Sequence, residues 1–565
     1  MKILLLVTSF NSLAQAIYTK LLDRGDEVVV SYAINERQML EEIEDFRPEL
    51  ILCPFLKRYL PPDIYESYPT FIFHPGPRGD RGPNSLEYAL KSHTKEWGVV
   101  ILRANADYDG GDIYAEHSFD VRETYKASLY RQEVTRVSLQ ALDLFFENYH
   151  SERSTPQILD PLHKPFTQTK RAIDWEQDDT QTIIAKIHLS DSYPGVLDEI
   201  LGVPCSLYGV WREERIGVAT SVAQKENQAI PPKTILAKRD GAICLKTIDG
   251  AVWVSHLKEA GKFKLPATYL LKERLQGIRE ERLPLIFDKS YETFYEISVE
   301  RRENVAYLCF NFHNGAMSAA QCIRLKYAVE YLKNECDVLV LVGGMDFFSN
   351  GIHLNILEES QKQGEDGWAN INAMNDLIGS ILYADEVVTV ASFARNAGAG
   401  GVFLGLACDY AVAPDGVVFN PHYKTLGLSG SEYHSYTLAK RVGDEMAQKL
   451  LDECLPISAE RAGSIGMIDE VFDFENYYES LHRYALGRYD DDFLWEKQVY
   501  LEVHRSEIEA CKERELEIMH PELWRASSAF HRLRKEFVYK VCPRETPGRL
   551  RRKNRKKEER CMNTV

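Results

Sequence analysis

The chain has no Cys-x-x-Cys pair, and its 11 cysteines are scattered, with no Cys/His cluster at zinc spacing. That usage excludes a disulfide scaffold and a ribbon- or finger-type metal site, and it fits reduced thiols in the cytoplasm. No apolar run approaches the roughly 20 residues that cross a bilayer. The opening run Met1–Val7 is too short for a secretory signal with its cleavage site, so it reads as a first buried strand. Positive charge is also scarce. Against 85 Asp and Glu stand 68 Lys and Arg, a net −17, which argues against a nucleic-acid binder. The turn after the first strand, Thr8-Ser9-Phe10-Asn11-Ser12, lacks Gly-x-Gly-x-x-Gly, so a dinucleotide site has no support there.

At 565 residues the chain exceeds a single core. Four segments are expected: 1–165, 166–287, 288–540 and a basic tail, 541–565. In the first, the runs Ile3–Val7, Glu27–Tyr32, Leu50–Cys53, Thr70–Phe73 and Val99–Leu102 alternate with helical patterns. That alternation predicts an α/β fold with a parallel sheet. Active sites of such sheets lie at the carboxyl ends of the strands. His74 follows the fourth run and Asp109 comes soon after the fifth. A histidine with a carboxylate suits a general base and its orienting partner, although a strand-end histidine can equally be structural. In the second segment, Ala242–Thr247 and Val252–His256 read as strands. The third opens with strand Val305–Phe310, helix Ala316–Asn334 and strand Val338–Val342.

Two glycine-bearing turns come next. The first is Phe348-Ser349-Asn350-Gly351-Ile352. The second, Asn396-Ala397-Gly398-Ala399-Gly400-Gly401, runs into the apolar stretch Val402–Asp409. Such a turn before a helix leaves backbone N–H groups unpaired. Two of them facing one point can hold a carbonyl oxygen that is becoming negative.

These turns, with Leu455–Ala462 and Ile465–Val471, resemble the crotonase (enoyl-CoA hydratase/isomerase) superfamily over about Ser290 to Lys535. The resemblance implies a crotonase α/β spiral fold and a thioester site whose oxyanion donors are the amides of Ile352 and Gly400. Hydratases of that superfamily activate water with two glutamates; the matching positions here hold Phe403 and His422. Water addition is therefore not expected. Replacement proton-handling groups are sought in Asn420–Tyr433, where Tyr423 and Glu432 are the candidates; packing alone is the other reading.

The loop His74–Pro83 and the turn Asp107–Ile113 resemble formyltransferases that use 10-formyltetrahydrofolate. His74 matches their histidine and Asp109 their aspartate, while Ile72 stands where they have asparagine. Arg81-Gly82-Pro83 matches their Arg-Gly-x-x-Pro segment loosely. Arg171–Trp175 and Asp191–Val196 resemble the start of their small OB-like β-barrel. Gln15, Arg81, Arg131 and Ser192 are candidates for cofactor contacts. The run Arg549–Lys557 reads as a solvated end or as arginines closing over coenzyme A phosphates.

Asn420-Pro421-His422-Tyr423-Lys424 with Gly430-Ser431-Glu432-Tyr433, on a crotonase segment behind a formyltransferase segment, is similar to the HypX/HoxX hydrogenase maturation family. That resemblance implies two activities: formyl transfer from 10-formyltetrahydrofolate to coenzyme A, then cleavage of formyl-CoA to carbon monoxide and coenzyme A. It implies small-molecule substrates, hydrogenase assembly proteins as partners, no metal and a cytoplasmic location. An amine formyltransferase fused to an unrelated acyl-CoA hydrolase or isomerase, and a non-catalytic scaffold, are the alternatives.

Overall fold

The computed structural model describes residues 1–216 and 230–551. The first sheet holds β1 (Lys2–Val7), β2 (Glu27–Tyr32), β3 (Leu50–Cys53), β4 (Thr70–His74), β5 (Glu96–Arg103) and β6 (Ile113–Asp120). Their order is β2-β1-β3-β4-β5-β6. The expectation of a parallel sheet holds only for β1 to β4. β5 runs back along β4, with His74 opposite Val100, and β6 is antiparallel to β5. An antiparallel partner needs no crossover helix, so the His74–Asn84 loop is left free at the sheet's end. The helix Ser12–Asp23 begins where the Asn11 side chain accepts the Ala14 amide at 3.0 Å. It buries Leu13, Ile17 and Leu21 against β1 and β2, one residue per helical turn.

The second sheet is wholly antiparallel. It comprises β7 (Val196–Ile200), β8 (Val203–Glu213), β9 (Ile235–Arg239), β10 (Ala242–Lys246), β11 (Ala251–Glu259) and the short β12 (Leu265–Pro266). The order is β7-β8-β11-β10-β9, with β12 on β11. β7 ends the order, and beyond β9 there is a single parallel bridge, Lys238 with Glu280, so among the described residues the OB-like barrel expected from the resemblance is not confirmed.

The third unit has a six-stranded sheet and a three-stranded one. The larger is β13 (Ile297–Arg302), β14 (Val305–Phe310), β15 (Val338–Gly343), β16 (Val388–Ser392), β18 (Tyr410–Pro414) and β21 (Glu470–Phe472), in that order. From β14 onward its strands are parallel. The smaller joins β17 (Ala397–Gly398), β19 (Val418–Asn420) and β20 (Ile457–Ser458). The helix expected from Ala316 starts at Ala319, because Ser318 and Gln321 form a capping box that fixes the start. A 34-residue helix, Asp491–Trp524, crosses the back of this unit.

The units are tied together. Arg131 pairs with Asp346, Asn420 Nδ2 donates to Gln15 Oε1 at 2.9 Å, and Ser458 Oγ donates to Asp23 at 2.6 Å. The tail does not begin as a solvated end. Thr546 Oγ1 accepts the Tyr32 amide at 2.8 Å, Leu550 is buried in the first core, and Arg549 donates to the Cys454 carbonyl at 2.8 Å. The rest of the basic run, 552–557, lies outside the described residues. No described helix is long and apolar enough to cross a membrane.

Candidate active sites

The first site forms where β4 ends. His74 is buried, and both ring nitrogens face carboxylates. Nε2 lies 2.6 Å from Asp80 Oδ2, and Nδ1 lies 3.5 Å from Asp109 Oδ2. The loop bends back on itself at Gly76. A Cβ there would fall 2.1 Å from Asp80 Oδ2 and 2.7 Å from His74 Nε2, so only glycine fits. Asp80 also accepts from His163 Nε2 at 2.6 Å. Asp109 sits at φ 48, a conformation that aspartate tolerates better than most residues, and accepts the Gly82 amide at 2.9 Å.

Burial alone would pull the His74 pKa down. The Asp80 hydrogen bond and the charges of Asp109 and Asp80 outweigh it, so the net shift is upward. Burial pushes Asp80 up, but its bonds to His74, Ser85 and His163 bring it below the usual value. The loop sequence offers Asp80 only as a polar residue six positions after the histidine, and His163 lies 83 residues beyond Asp80, so their pairing requires the fold.

The second site is built from the two turns. Residues 315–317 run beside the first: the Met317 amide donates to the Gly351 carbonyl at 2.8 Å, and the His353 amide to the Met317 carbonyl at 3.0 Å. This parallel bridge uses the neighbours of Ile352 and leaves its own N–H turned away. The Gly400 amide opens the helix Gly400–Leu406, where an N–H has no intrahelical acceptor. Neither amide donates a hydrogen bond among the described residues. The turns touch: the Cβ position of Gly351 is 3.2 Å from Gly400 N. Gly398 N donates to Ser349 O at 2.9 Å and Phe348 N to Asn396 O at 3.0 Å, which locks one turn to the other.

Glu432 stands against this point. Its Oε1 is 3.0 Å from where a Gly400 Cβ would be, so any side chain at 400 would displace it. Oε1 accepts no hydrogen bond among the described residues, while Oε2 accepts from Tyr423 Oη at 2.7 Å and Ser431 N at 3.2 Å. Glu432 is 1% exposed and Tyr423 5%. Phe403 stacks on the Tyr423 ring at 5.3 Å and 15°, an apolar wall where a hydratase has a carboxylate. Glu432 and Tyr433 both have positive φ, 68° and 54°. Two adjacent bulky residues in that region are strained, and such strain collects at functional sites. Asn375 Oδ1 accepts the Glu432 amide at 3.1 Å and holds the bend.

Burial drives the Glu432 carboxyl above its usual range; Tyr423, Ser431 and His434 relieve part of this, and Glu515 adds to it. Burial, and then the charge and hydrogen bond of Glu432, put Tyr423 well above 10, so it stays protonated across the working pH range. His422 does not join this pair. Its Nδ1 faces Thr425 Oγ1 at 3.5 Å, and burial lowers its pKa to about 4.

The remaining predicted residues scatter. Arg81 donates to the carbonyls of Tyr108 at 3.0 Å and Asp160 at 3.1 Å, and so braces the Asp109 turn. Gln15 bonds Phe10 O and Asn420. Ser192 is exposed at φ 68. Arg131 reaches Asp346, just ahead of the first glycine-bearing turn, and lies over Phe347. Arg131 and Asp346 stand in the walls of two cavities at the join of the units, about 280 and 470 Å³. Tyr423 and Glu432 line neither. Among the described residues no group of three or more His, Cys, Asp or Glu could hold a metal.

Three known families match successive parts of the chain. Residues 2–143 match the formyl transferase family, 165–275 the formyl transferase C-terminal domain, and 300–488 the enoyl-CoA hydratase/isomerase family. Methionyl-tRNA formyltransferase of Fervidobacterium nodosum is 23% identical across 40% of this chain and 71% of its own length. Hydrogenase maturation factor HoxX of Bradyrhizobium diazoefficiens is 34% identical across 97% of this chain and 96% of its own. The crystal structure of HypX from Aquifex aeolicus in complex with tetrahydrofolic acid superposes with a TM-score of 0.92. It is 38% identical, with 98% of each chain covered. A match of that extent at both levels leaves one assignment: the chain belongs to the HypX/HoxX family of hydrogenase maturation factors.

Proposed function

We propose that the chain makes carbon monoxide for the iron of a [NiFe]-hydrogenase in the cytoplasm, by two steps on small-molecule substrates. In the first, His74 takes the thiol proton of coenzyme A, the thiolate attacks the formyl carbon of 10-formyltetrahydrofolate, and as the C–N10 bond breaks the imidazolium gives that proton to N10, leaving formyl-CoA and tetrahydrofolate. Asp80 and Asp109 hold the ring and its positive charge. Ile72 stands where the formyltransferases have an asparagine, so the usual donor to the formyl oxygen is missing, which speaks against the usual amine transfer. A folate substrate is proposed at the strand end, with Gln15, Arg81, Arg131 and Ser192 the candidates for the polar parts of the two substrates.

In the second step the amides of Ile352 and Gly400 take the formyl oxygen of formyl-CoA. Glu432 Oε1 accepts the formyl proton, the C–S bond breaks, and the sulfur receives a proton through Tyr423. The products are carbon monoxide and coenzyme A, with no net change in protons or electrons. The observation that carries this reading is the bare Oε1 of Glu432, packed against Gly400 beside two amides without acceptors. A carboxylate in an apolar enclosure is a stronger base than one in water. Phe403 provides no group to activate water. Hydrogenase assembly proteins are the proposed partners.

Purified protein with 10-formyltetrahydrofolate, coenzyme A and a panel of amines is the test. Carbon monoxide in the headspace, dependent on coenzyme A, is expected. A formylated amine would point to an amine formyltransferase, and neither product to a scaffold.

A further inference from the structure

A second acid–base pair lies directly behind the first, and its significance rests on the proton-handling role proposed for Tyr423 and Glu432. His434 opens the helix His434–Val442. Its ring meets Tyr423 edge-on at 5.4 Å and Phe403 at 5.6 Å. Its Nδ1 is 3.0 Å from the Ser431 carbonyl oxygen and 3.2 Å from Glu515 Oε1. Glu515 comes from the helix Asp491–Trp524 and is 4% exposed. Its Oε1 accepts from the Ser435 amide at 2.7 Å and from the Ser435 hydroxyl, while its Oε2 is buried without a partner among the described residues.

The Ser431 carbonyl joins the two pairs. It accepts from His434 and also lies 3.2 Å from Tyr423 Oη. The single Tyr423 proton thus has two acceptors in reach, Ser431 O and Glu432 Oε2. A donor at His434 Nδ1 takes one of the carbonyl's two lone pairs and weakens it as an acceptor, which favours Glu432 Oε2, already the closer at 2.7 Å, for the Tyr423 proton. Charge points the same way. Glu432 and Glu515 are buried carboxylates, and one imidazole stands among them; a cation there offsets the cost of burying both. From the loop Glu432 and Tyr423 face His434, and from the long helix Glu515. The helix Gly400–Leu406 offers only Phe403. Glu509 and Lys512 of the long helix turn to Tyr433 instead.

We propose that His434, held as an imidazolium by Glu515, is the positioning residue that keeps Glu432 anionic and directs the Tyr423 proton onto it. Burial works against a charged His434, but the Glu515 hydrogen bond and the charges of Glu515 and Glu432 raise its pKa overall. Without the cation, Glu432 binds its proton more tightly. The acid limb of carbon monoxide release then moves to higher pH. A ring that only packed on Tyr423 would change the rate or the melting temperature without moving that limb.

The test tracks carbon monoxide release from supplied formyl-CoA against pH, in wild type, His434→Gln, His434→Asn and Glu432→Gln. The two His434 variants are expected to shift the limb upward by about one pH unit, a roughly tenfold loss on the limb itself. An unmoved limb in both, with Glu432→Gln inactive, overturns the proposal and leaves the parent reading intact. Glu432→Gln at the wild-type rate overturns the parent reading itself. Should the His434 variants not fold, the infrared difference between wild type and Glu432→Gln at neutral pH decides. The proposal expects carboxylate bands, and a protonated carboxyl band overturns it.

Discussion

On the proposed reading, the two sites solve proton transfer in opposite ways. Around His74 the base is a histidine flanked by two carboxylates, Asp80 and Asp109, and a second histidine. Around Glu432 the base is the carboxylate, and its walls are an aromatic ring, a phenol and a glycine. In the first, opposite charges hold a protonated ring in place after it has acted. In the second, burial raises the basicity of the carboxylate before it acts. A thiol proton is easily taken by a histidine, whereas a formyl hydrogen on carbon needs a poorly solvated base. On that reading, the solvation of each base matches the acidity of the proton it moves.

Exchanging the roles of the two sites should fail in both directions. The largest expected effect is from Glu432→Gln. It should cut carbon monoxide release from supplied formyl-CoA by about 10³-fold or more, with formyl transfer to coenzyme A unchanged in a product assay. His74→Ala should do the reverse: formyl transfer falls by about 10²–10⁴-fold, and cleavage of supplied formyl-CoA persists. Gly76→Ala should come next with a smaller loss of transfer, about 10²-fold, because its methyl group separates His74 from Asp80. Tyr423→Phe should slow carbon monoxide release about 10–100-fold and leave Oε2 of Glu432 short of a donor. That deficit should appear in thermal or denaturant unfolding as about 1–3 kcal/mol.

The pH profiles sharpen the same contrast. His74 acts as a base only when neutral, and its pKa is raised above 6.5. Formyl transfer should therefore fall as pH drops through a value above 6.5. Glu432 acts only when anionic, and its pKa is raised above 4.5. Carbon monoxide release should fall as pH drops through that raised value. Tyr423, raised well above 10, should add no alkaline limb below that pH.

Part of this arrangement is legible in the chain itself. The strand runs can be read because buried strands are continuous apolar segments, and β2 and β3 fall where those runs lie. The reversal of β5 cannot, because an apolar run carries no direction. The pairing of Gly351 with Gly400 can be anticipated from two glycine turns, but their contact comes from backbone bonds between residues 348–349 and 396–398. Glu432 and Tyr423 lie nine positions apart, with left-handed bends at Gly427, Gly430, Glu432 and Tyr433 around them. No helical or strand period would place them together. Asp80 sits six positions after His74, but the pairs Asp80–His163 and His434–Glu515 are invisible, since each joins distant parts of the chain. Arg131 reads as a cofactor residue, and its pairing with Asp346 across the units has no sequence signal.

The most direct measurement supplies wild-type protein with synthetic formyl-CoA carrying a ¹³C formyl group, in the absence of folate, and identifies the labelled product. The account predicts labelled carbon monoxide in the headspace in step with free coenzyme A. Labelled formate in its place would mean that water reaches the formyl carbon, and would contradict a site that removes the formyl proton and keeps water out.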